Sequence, residues 1–106
     1  MKRGEIWWIN LDPTQGSEIK KTRPCVILTH DALNKARRTV VVVPLSTGAK
    51  PRPPIVVAMP SAGKESSAVC DQIRAVDKQR LIKTGGSLSR DDLQTLEEGV
   101  RQVLSL

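Results

Sequence analysis

Three places along the chain carry side chains suited to binding a phosphate. Arg23 follows a basic polar loop and enters an apolar segment, Ser46 and Thr47 directly follow an apolar run, and Asp71 precedes Gln72 inside another apolar segment. An arginine fork beside a hydroxyl is a receptor for a phosphate whose charge grows during a reaction. The residue types therefore indicate phosphate chemistry.

Other chemistries are excluded by residue type. The single histidine, His30, cannot form a two-histidine acid–base pair, and we interpret it as a polar loop residue. The chain has no Gly-rich phosphate loop, no His-Glu-x-x-His motif and no acidic cluster suited to two metals. Cys25 and Cys70 lie far apart in apolar segments, so we expect two buried, reduced thiols and no zinc site. We expect neither a metal nor a cofactor.

The elements that must position these residues are mostly strands. Short β-branched or aromatic segments bounded by turn residues predict strands over residues 4–11, 24–29, 39–45, 55–59 and 67–76. Single helical turns are expected near residues 31–34 and 77–81, and Gly85-Gly86 is interpreted as a hinge-like break. Trp7 and Trp8 are consecutive in a strand and must point to opposite faces, one to the core and the other to a groove or interface.

The clearest helix is at the C-terminus. Ser89 is suited to cap it, with Asp92 three residues later. Apolar residues then recur at helical spacing at Leu93, Leu96, Val100, Val103 and Leu104. We therefore predict a mainly β protein with small helices: one domain over residues 1–106, built as a curved antiparallel sheet or barrel closed by a C-terminal helix.

Charge is unevenly distributed along the chain. The formal net charge is +6, and residues 1–52 hold ten Lys or Arg against four Asp or Glu, whereas residues 53–106 hold seven of each. A one-sided basic surface favours a polyanionic partner such as nucleic acid. No apolar run is long enough to span a membrane and the N-terminus lacks a signal-peptide pattern, so we expect a cytoplasmic protein.

Three blocks of the sequence resemble the MazF/PemK family of toxin endoribonucleases. These are GEIWWINLDPTQGSEIKKTRPCVILT, VVVVPLST and VCDQIRAVDKQRL, and they stand in family order over nearly the whole chain. The resemblance implies an SH3-like barrel, a homodimer in the bacterial cytoplasm, and metal-independent, sequence-selective cleavage of single-stranded mRNA. It further implies products with 2′,3′-cyclic phosphate and 5′-hydroxyl ends, inhibition of translation and growth, and neutralisation by a small acidic antitoxin.

The resemblance also assigns site residues. Arg23 matches the catalytic arginine, and the catalytic threonine falls at Ser46 with Thr47 next, which leaves open which hydroxyl acts. Because arginine stays protonated at neutral pH, Arg23 is assigned to charge stabilisation and the general base is left open. The residues expected to bind RNA are Trp8, Gly16, Ser17, Glu18, Lys20, Lys21, Lys50, Arg52 and Gln72.

Two other functions fit the same sequence. A non-catalytic toxin of this fold could bind DNA gyrase, and a small RNA-binding barrel could lack activity altogether, because fold does not fix function. Arg23 together with Ser46 and Thr47 favours the nuclease.

Overall fold

The computed structural model describes all 106 residues and contains seven β-strands and two α-helices. In chain order they are β1 Glu5–Asn10, β2 Thr22–Ile27, α1 Asp31–Ala36, β3 Thr39–Ser46, β4 Val56–Ala58, β5 Ser67–Val69, β6 Arg74–Asp77, β7 Leu81–Ser87 and α2 Arg90–Leu104. Single 3₁₀ turns occupy Pro60–Ala62, Cys70–Gln72 and Lys78–Arg80.

The strands form one antiparallel sheet in the order β4-β5-β3-β2-β1-β7, with β6 also paired to β3. β3 is the central strand: its first half pairs with β6, its middle with β2 and its last two residues with β5. β4 and β7 do not pair with each other. The predicted antiparallel sheet with a C-terminal helix is therefore confirmed. The sheet is open, so the predicted closed barrel is not confirmed.

Both faces of the central strands are buried, which explains their nearly continuous apolar sequence. Alternate residues point to opposite faces, so on β3 Val43 and Leu45 join one core cluster while Val40 and Val42 join another. Leu96 and Val100 of α2 cover the first cluster. Ile9, Leu11 and Ile27 belong to the second cluster and are fully buried.

The predicted C-terminal helix is confirmed, including its cap. Ser89 accepts a hydrogen bond from the Asp92 amide at 3.1 Å, which satisfies one of the free amides of the first turn. Leu93 and Val103 are half-buried, whereas Leu104 is exposed, so only part of the predicted apolar face reaches the core.

Two predictions were wrong, one about a strand and one about a hinge. The single strand expected over residues 67–76 is interrupted by the Cys70–Gln72 turn, so Asp71 and Gln72 lie in a turn and not in a strand. Gly85-Gly86 is not a hinge, because both glycines lie within β7. A Cβ at Gly85 would lie 3.4 Å from Trp8 Nε1, an ordinary van der Waals contact, so Gly85 of β7 lies beside the Trp8 ring.

Three smaller features are the two cysteines, the single histidine and the length of the helices. Cys25 and Cys70 are buried free thiols, as expected. His30 accepts a hydrogen bond from the Ala32 amide at 3.0 Å and caps α1, so it has a structural role. Neither helix combines the length and the apolar character needed to cross a membrane.

Candidate active site

The strand register brings the predicted catalytic residues together. β2 and β3 pair with Cys25 opposite Pro44, and continuing this register by two residues sets Arg23 opposite Ser46. Opposed residues of an antiparallel pair lie on the same face. Both line a cavity of about 120 Å³, which we call the arginine cavity. Its lining residues are Trp8, Thr22, Arg23, Pro24, Leu45, Ser46, Thr47 and Ser66.

The Arg23 guanidinium is available for an anion. Its Nε donates to the Lys20 carbonyl at 3.3 Å, which ties the side chain to the preceding loop. The two ion pairs in the structure, Met1–Glu5 and Arg3–Glu97, do not involve it. Arg23 is exposed, so its terminal nitrogens can present a planar fork to a phosphate.

The two hydroxyl residues differ in their surroundings. Ser46 is half-buried, and its Oγ accepts a hydrogen bond from the Gly48 amide at 3.2 Å. That bond fixes the oxygen and leaves its hydrogen free to donate. Thr47 is exposed and lies one residue beyond the end of β3. Ser46 is therefore the better oriented donor.

The tryptophans diverge as predicted. Trp7 packs against the second core cluster, and its Nε1 donates to Glu5 at 3.0 Å, which lowers the pKa of the Glu5 carboxyl. Trp8 is 36% exposed and lines the arginine cavity, with Lys83 Nζ 5.8 Å from its ring centroid. An exposed aromatic beside an arginine offers a stacking surface for a base.

Hydrogen bonds order the loop from residue 12 to residue 21, and its Lys20 carbonyl accepts from Arg23 Nε at 3.3 Å. Gly16 has φ +57°, a left-handed conformation that glycine adopts without strain. The Glu18 carboxylate accepts from the Gln15 amide at 2.6 Å, so it is directed into the loop. Arg74 and Arg80 donate to backbone carbonyls at the start of the loop.

Gln72 also fixes this loop. Its Oε1 accepts from the Ile19 amide at 3.1 Å and its Nε2 donates to the Ser17 carbonyl at 3.3 Å. The side-chain amide is thus engaged by loop backbone. Both bonds hold the loop, and the predicted contact of Gln72 with RNA stays a prediction.

The remaining predicted RNA-binding residues are more dispersed. Ser17, Lys20 and Lys21 are exposed on the loop, and Lys50 lines a second cavity beside the arginine cavity. Arg52 is exposed but lines neither cavity.

Sequence reasoning missed Ser66, which lines both cavities. No local motif marks Ser66, and only the pairing of β5 with β3 brings it to the site.

The largest cavity, about 690 Å³, lies elsewhere, between the prolines of residues 51–54 and α2. Asp91 and Glu98 contribute its ionisable groups, so its charge does not suit a nucleic acid. The smaller arginine cavity is the better candidate because it combines a free cation, four hydroxyl side chains and an aromatic surface. No group of three or more His, Cys, Asp or Glu side chains is arranged to hold a metal ion.

Comparison with known proteins identifies relatives over the full chain. Residues 2–104 match the family described as PemK-like, MazF-like toxin of type II toxin–antitoxin system. Endoribonuclease MazF9 of Mycobacterium tuberculosis is 33% identical over an alignment of 115 positions, covering 100% of this chain and 98% of the relative. Endoribonuclease PemK of Escherichia coli is 41% identical over 81 aligned residues, covering 73% of this chain and 61% of PemK.

Solved structures show the same fold. MazF from Deinococcus radiodurans superimposes with a TM-score of 0.89 at 23% identity, covering 100% of this chain and 97% of the other. A mycobacterial endoribonuclease in complex with its cognate antitoxin gives a TM-score of 0.82 at 19% identity, covering 100% and 96%. The family match over residues 2–104 and the full-length similarity to MazF9 lead to one conclusion: this chain belongs to the PemK-like, MazF-like toxins of type II toxin–antitoxin systems.

Proposed function

We propose that this protein is a toxin endoribonuclease that cleaves single-stranded RNA, mRNA above all, at selected sequences without a metal ion. The observation that carries this proposal is the arginine cavity, which is lined by Arg23, free of any ion pair, together with Ser46, Thr47 and Trp8. The curated relatives named as endoribonucleases support the same activity.

The proposed reaction is an internal transfer at phosphorus. The RNA 2′ oxygen attacks the adjacent phosphorus while the bond from phosphorus to the 5′ oxygen breaks. The 2′ hydroxyl loses its proton and the departing 5′ oxygen gains one, so the products carry a 2′,3′-cyclic phosphate and a 5′ hydroxyl. The need for a 2′ hydroxyl selects RNA over DNA.

Each site residue has a role in this scheme. Arg23 neutralises the charge that develops on the non-bridging phosphate oxygens, and its permanent protonation suits it to that role rather than to accepting a proton. Ser46 or Thr47 donates a hydrogen bond to the same phosphate. Trp8 stacks on a base, while the loop residues Gly16, Ser17, Glu18, Lys20 and Lys21 border the strand together with Lys50 and Arg52.

The biological setting follows from the family. Cleavage of mRNA would block translation and growth, and it would take place in the bacterial cytoplasm. A cognate acidic antitoxin would neutralise the toxin, since the chain carries a net charge of +6. We propose that residues 1–106 act as one domain and that the toxin is a homodimer, to be tested by light scattering at micromolar concentration.

The decisive experiment is incubation of the purified protein with mixed-sequence RNA in EDTA. We expect fragments with 2′,3′-cyclic phosphate ends, identified by mass spectrometry, and no fragments with Arg23→Ala. Mapping the fragment ends would give the recognition sequence. Intact RNA in EDTA with cleavage restored by magnesium would disprove the metal-independent mechanism, and inhibition of gyrase without RNA cleavage would identify a different toxin.

A further inference from the structure

A second cavity adjoins the arginine cavity. It has a volume of about 420 Å³ and shares Thr47 and Ser66 with the first. Its lining residues are Thr47, Gly48, Ala49, Lys50, Pro51, Ala58, Lys64, Glu65, Ser66 and Ser67. Because the two cavities share part of one wall, a strand bound at Arg23 can continue into the second cavity.

The shared wall is held by strand pairing. β3 and β5 pair with Ser46 opposite Ser67, and one further step in this register sets Thr47 opposite Ser66. The Ser66 carbonyl accepts from the Met59 amide at 2.9 Å, and its amide donates to the Gly63 carbonyl at 3.0 Å. The backbone of Ser66 is thus fixed on both sides, which makes its hydroxyl a well-placed donor between the cavities.

The turn before Ser66 depends on a glycine. Gly63 has φ +148°, and a Cβ at this position would come within 2.9 Å of Ser66 Oγ. A larger residue at Gly63 would therefore strain the turn and displace the Ser66 hydroxyl. The same turn carries Lys64, which is exposed at the mouth of the second cavity.

The charge of the second cavity favours an anion. The ionisable residues that line it are two lysines, Lys50 and Lys64, and one carboxylate, Glu65. Each phosphate of a bound RNA strand brings a negative charge, and lysine binds phosphate as a point charge. The Glu65 carboxylate repels the same phosphate. Neutralising Glu65 should therefore strengthen RNA binding, whereas neutralising Lys64 should weaken it.

We propose that the turn from Gly63 to Ser66 forms a second phosphate subsite, in which Lys64 and the Ser66 hydroxyl hold the RNA phosphate next to the one that is cleaved. This inference rests on the proposed function and extends it. The subsite would orient the strand across the arginine cavity, so that the scissile phosphate faces Arg23. Lys64 and Ser66 are accordingly positioning residues.

The test uses a short RNA containing a mapped cleavage site. Single neutral methylphosphonate linkages replace the flanking phosphates one at a time, and kcat/KM is measured for the unaltered protein and for Lys64→Gln. Lys35→Gln is the matched control, because Lys35 is an exposed lysine in α1 and lines neither cavity. Circular dichroism of each variant checks the fold.

We expect one flanking linkage at which the neutral substitution slows the unaltered protein by roughly threefold to tenfold, the size of one typical hydrogen bond to an exposed group. On unmodified RNA, the kcat/KM of Lys64→Gln should be lower than that of the unaltered protein by a similar factor. The neutral linkage at that same position should then lower the kcat/KM of Lys64→Gln little further. Ser66→Ala should behave in the same way. Lys35→Gln should retain the full response to the neutral linkage.

Binding to a cleavage-inactive Arg23→Ala protein gives a second readout. Adding Lys64→Gln should reduce the log–log dependence of RNA affinity on salt by about 0.7, the value for one single-strand phosphate contact. Glu65→Gln should instead strengthen binding. The subsite would be overturned by an unchanged salt slope or by weaker RNA binding of Glu65→Gln. It would also be overturned if every neutral linkage slowed Lys64→Gln by the same factor as the unaltered protein. If the unaltered protein cleaves no RNA at all, the proposed function fails and the subsite with it.

Discussion

Gln72 holds the backbone of Ile19, a residue 53 positions earlier in the chain, through a hydrogen bond of 3.1 Å from the Ile19 amide to Oε1. The other half of the same side-chain amide donates to the Ser17 carbonyl at 3.3 Å. A single side chain therefore fixes the loop that leads into Arg23. Arg23 Nε donates to the Lys20 carbonyl of the same loop at 3.3 Å, so Gln72 and Arg23 are both hydrogen-bonded to one segment.

We predict that Gln72→Ala loosens this loop. Each lost hydrogen bond should reduce the free energy of local opening by about 1 kcal/mol, so hydrogen exchange at the Ile19 amide should accelerate by about fivefold or more. RNA cleavage should slow as the loop loses its order. Gln79→Ala is the control, because Gln79 lies on a neighbouring exposed turn. Unchanged exchange at Ile19 would show that Gln72 does not hold the loop.

We predict that Arg23→Ala slows cleavage at least about 100-fold while leaving the fold intact. Removing one donor to a developing oxyanion typically costs about 3–4 kcal/mol, or roughly 100- to 1,000-fold in kcat. Arg23 is exposed, so its removal should not disturb the core. Arg23→Lys should rescue poorly, because an ammonium group cannot reproduce the planar fork. Single-turnover cleavage of RNA measures the effect, and a folded Arg23→Ala protein cutting at the native rate would contradict the site.

We predict a larger loss of cleavage for Ser46→Ala than for Thr47→Ala. The Ser46 oxygen is oriented by the Gly48 amide at 3.2 Å, and Ser46 lines the arginine cavity together with Arg23. Thr47 is more exposed, so its hydroxyl is less restrained. Measurement of kcat and KM for both variants distinguishes the roles, since loss of a transition-state contact lowers kcat. The reverse ranking would assign the catalytic hydroxyl to Thr47.

The sequence was sufficient for the features that depend on local patterns. The apolar run of β3, the Ser89 cap of α2 and the opposed tryptophans follow from propensity and periodicity. β7 was missed because nearly all of its residues are exposed, and its two adjacent glycines resemble a loop. The Cys70–Gln72 turn was missed because the sequence carries no signal for where pairing moves along β3, whose last residues pair with β5 and whose first residues pair with β6.

The site was only partly predictable for a related reason. Arg23, Ser46 and Trp8 occur in recognisable motifs, and strand register then brings them together. Ser66 and Lys64 have no motif, and they reach the site only because β5 pairs with the end of β3. Gln72 was placed near the substrate, but the backbone groups that occupy its amide lie far away in sequence and could not be inferred.

We predict that stability falls as the pH rises from about 9 to about 12, in part through Cys25. Burial raises the pKa of the Cys25 thiol from 9.0 to about 12. In that window the unfolded chain loses the proton while the folded protein retains it, so the free energy of unfolding falls by up to about 1.4 kcal/mol per pH unit for this group. Urea unfolding of Cys25→Ala at pH 8 and pH 10 should show a shallower decline than the unaltered protein, and equal slopes would contradict the assignment.

The last prediction concerns Gly99, in the middle of α2. By helix propensity alone, Gly99→Ala should stabilise the protein by about 1 kcal/mol. The structure indicates the opposite, because a Cβ at this position would lie 3.0 Å from Cys70 Sγ and 3.2 Å from the Pro54 carbonyl oxygen. Overpacking of this kind typically costs about 1–3 kcal/mol, so we expect a net decrease in the free energy of unfolding. Cys70→Ala, which removes the closer of the two contacts, should reduce the penalty when the changes are combined, as measured by a double-mutant cycle in urea. A stabilised Gly99→Ala protein would mean that α2 does not pack this closely against the Cys70–Gln72 turn.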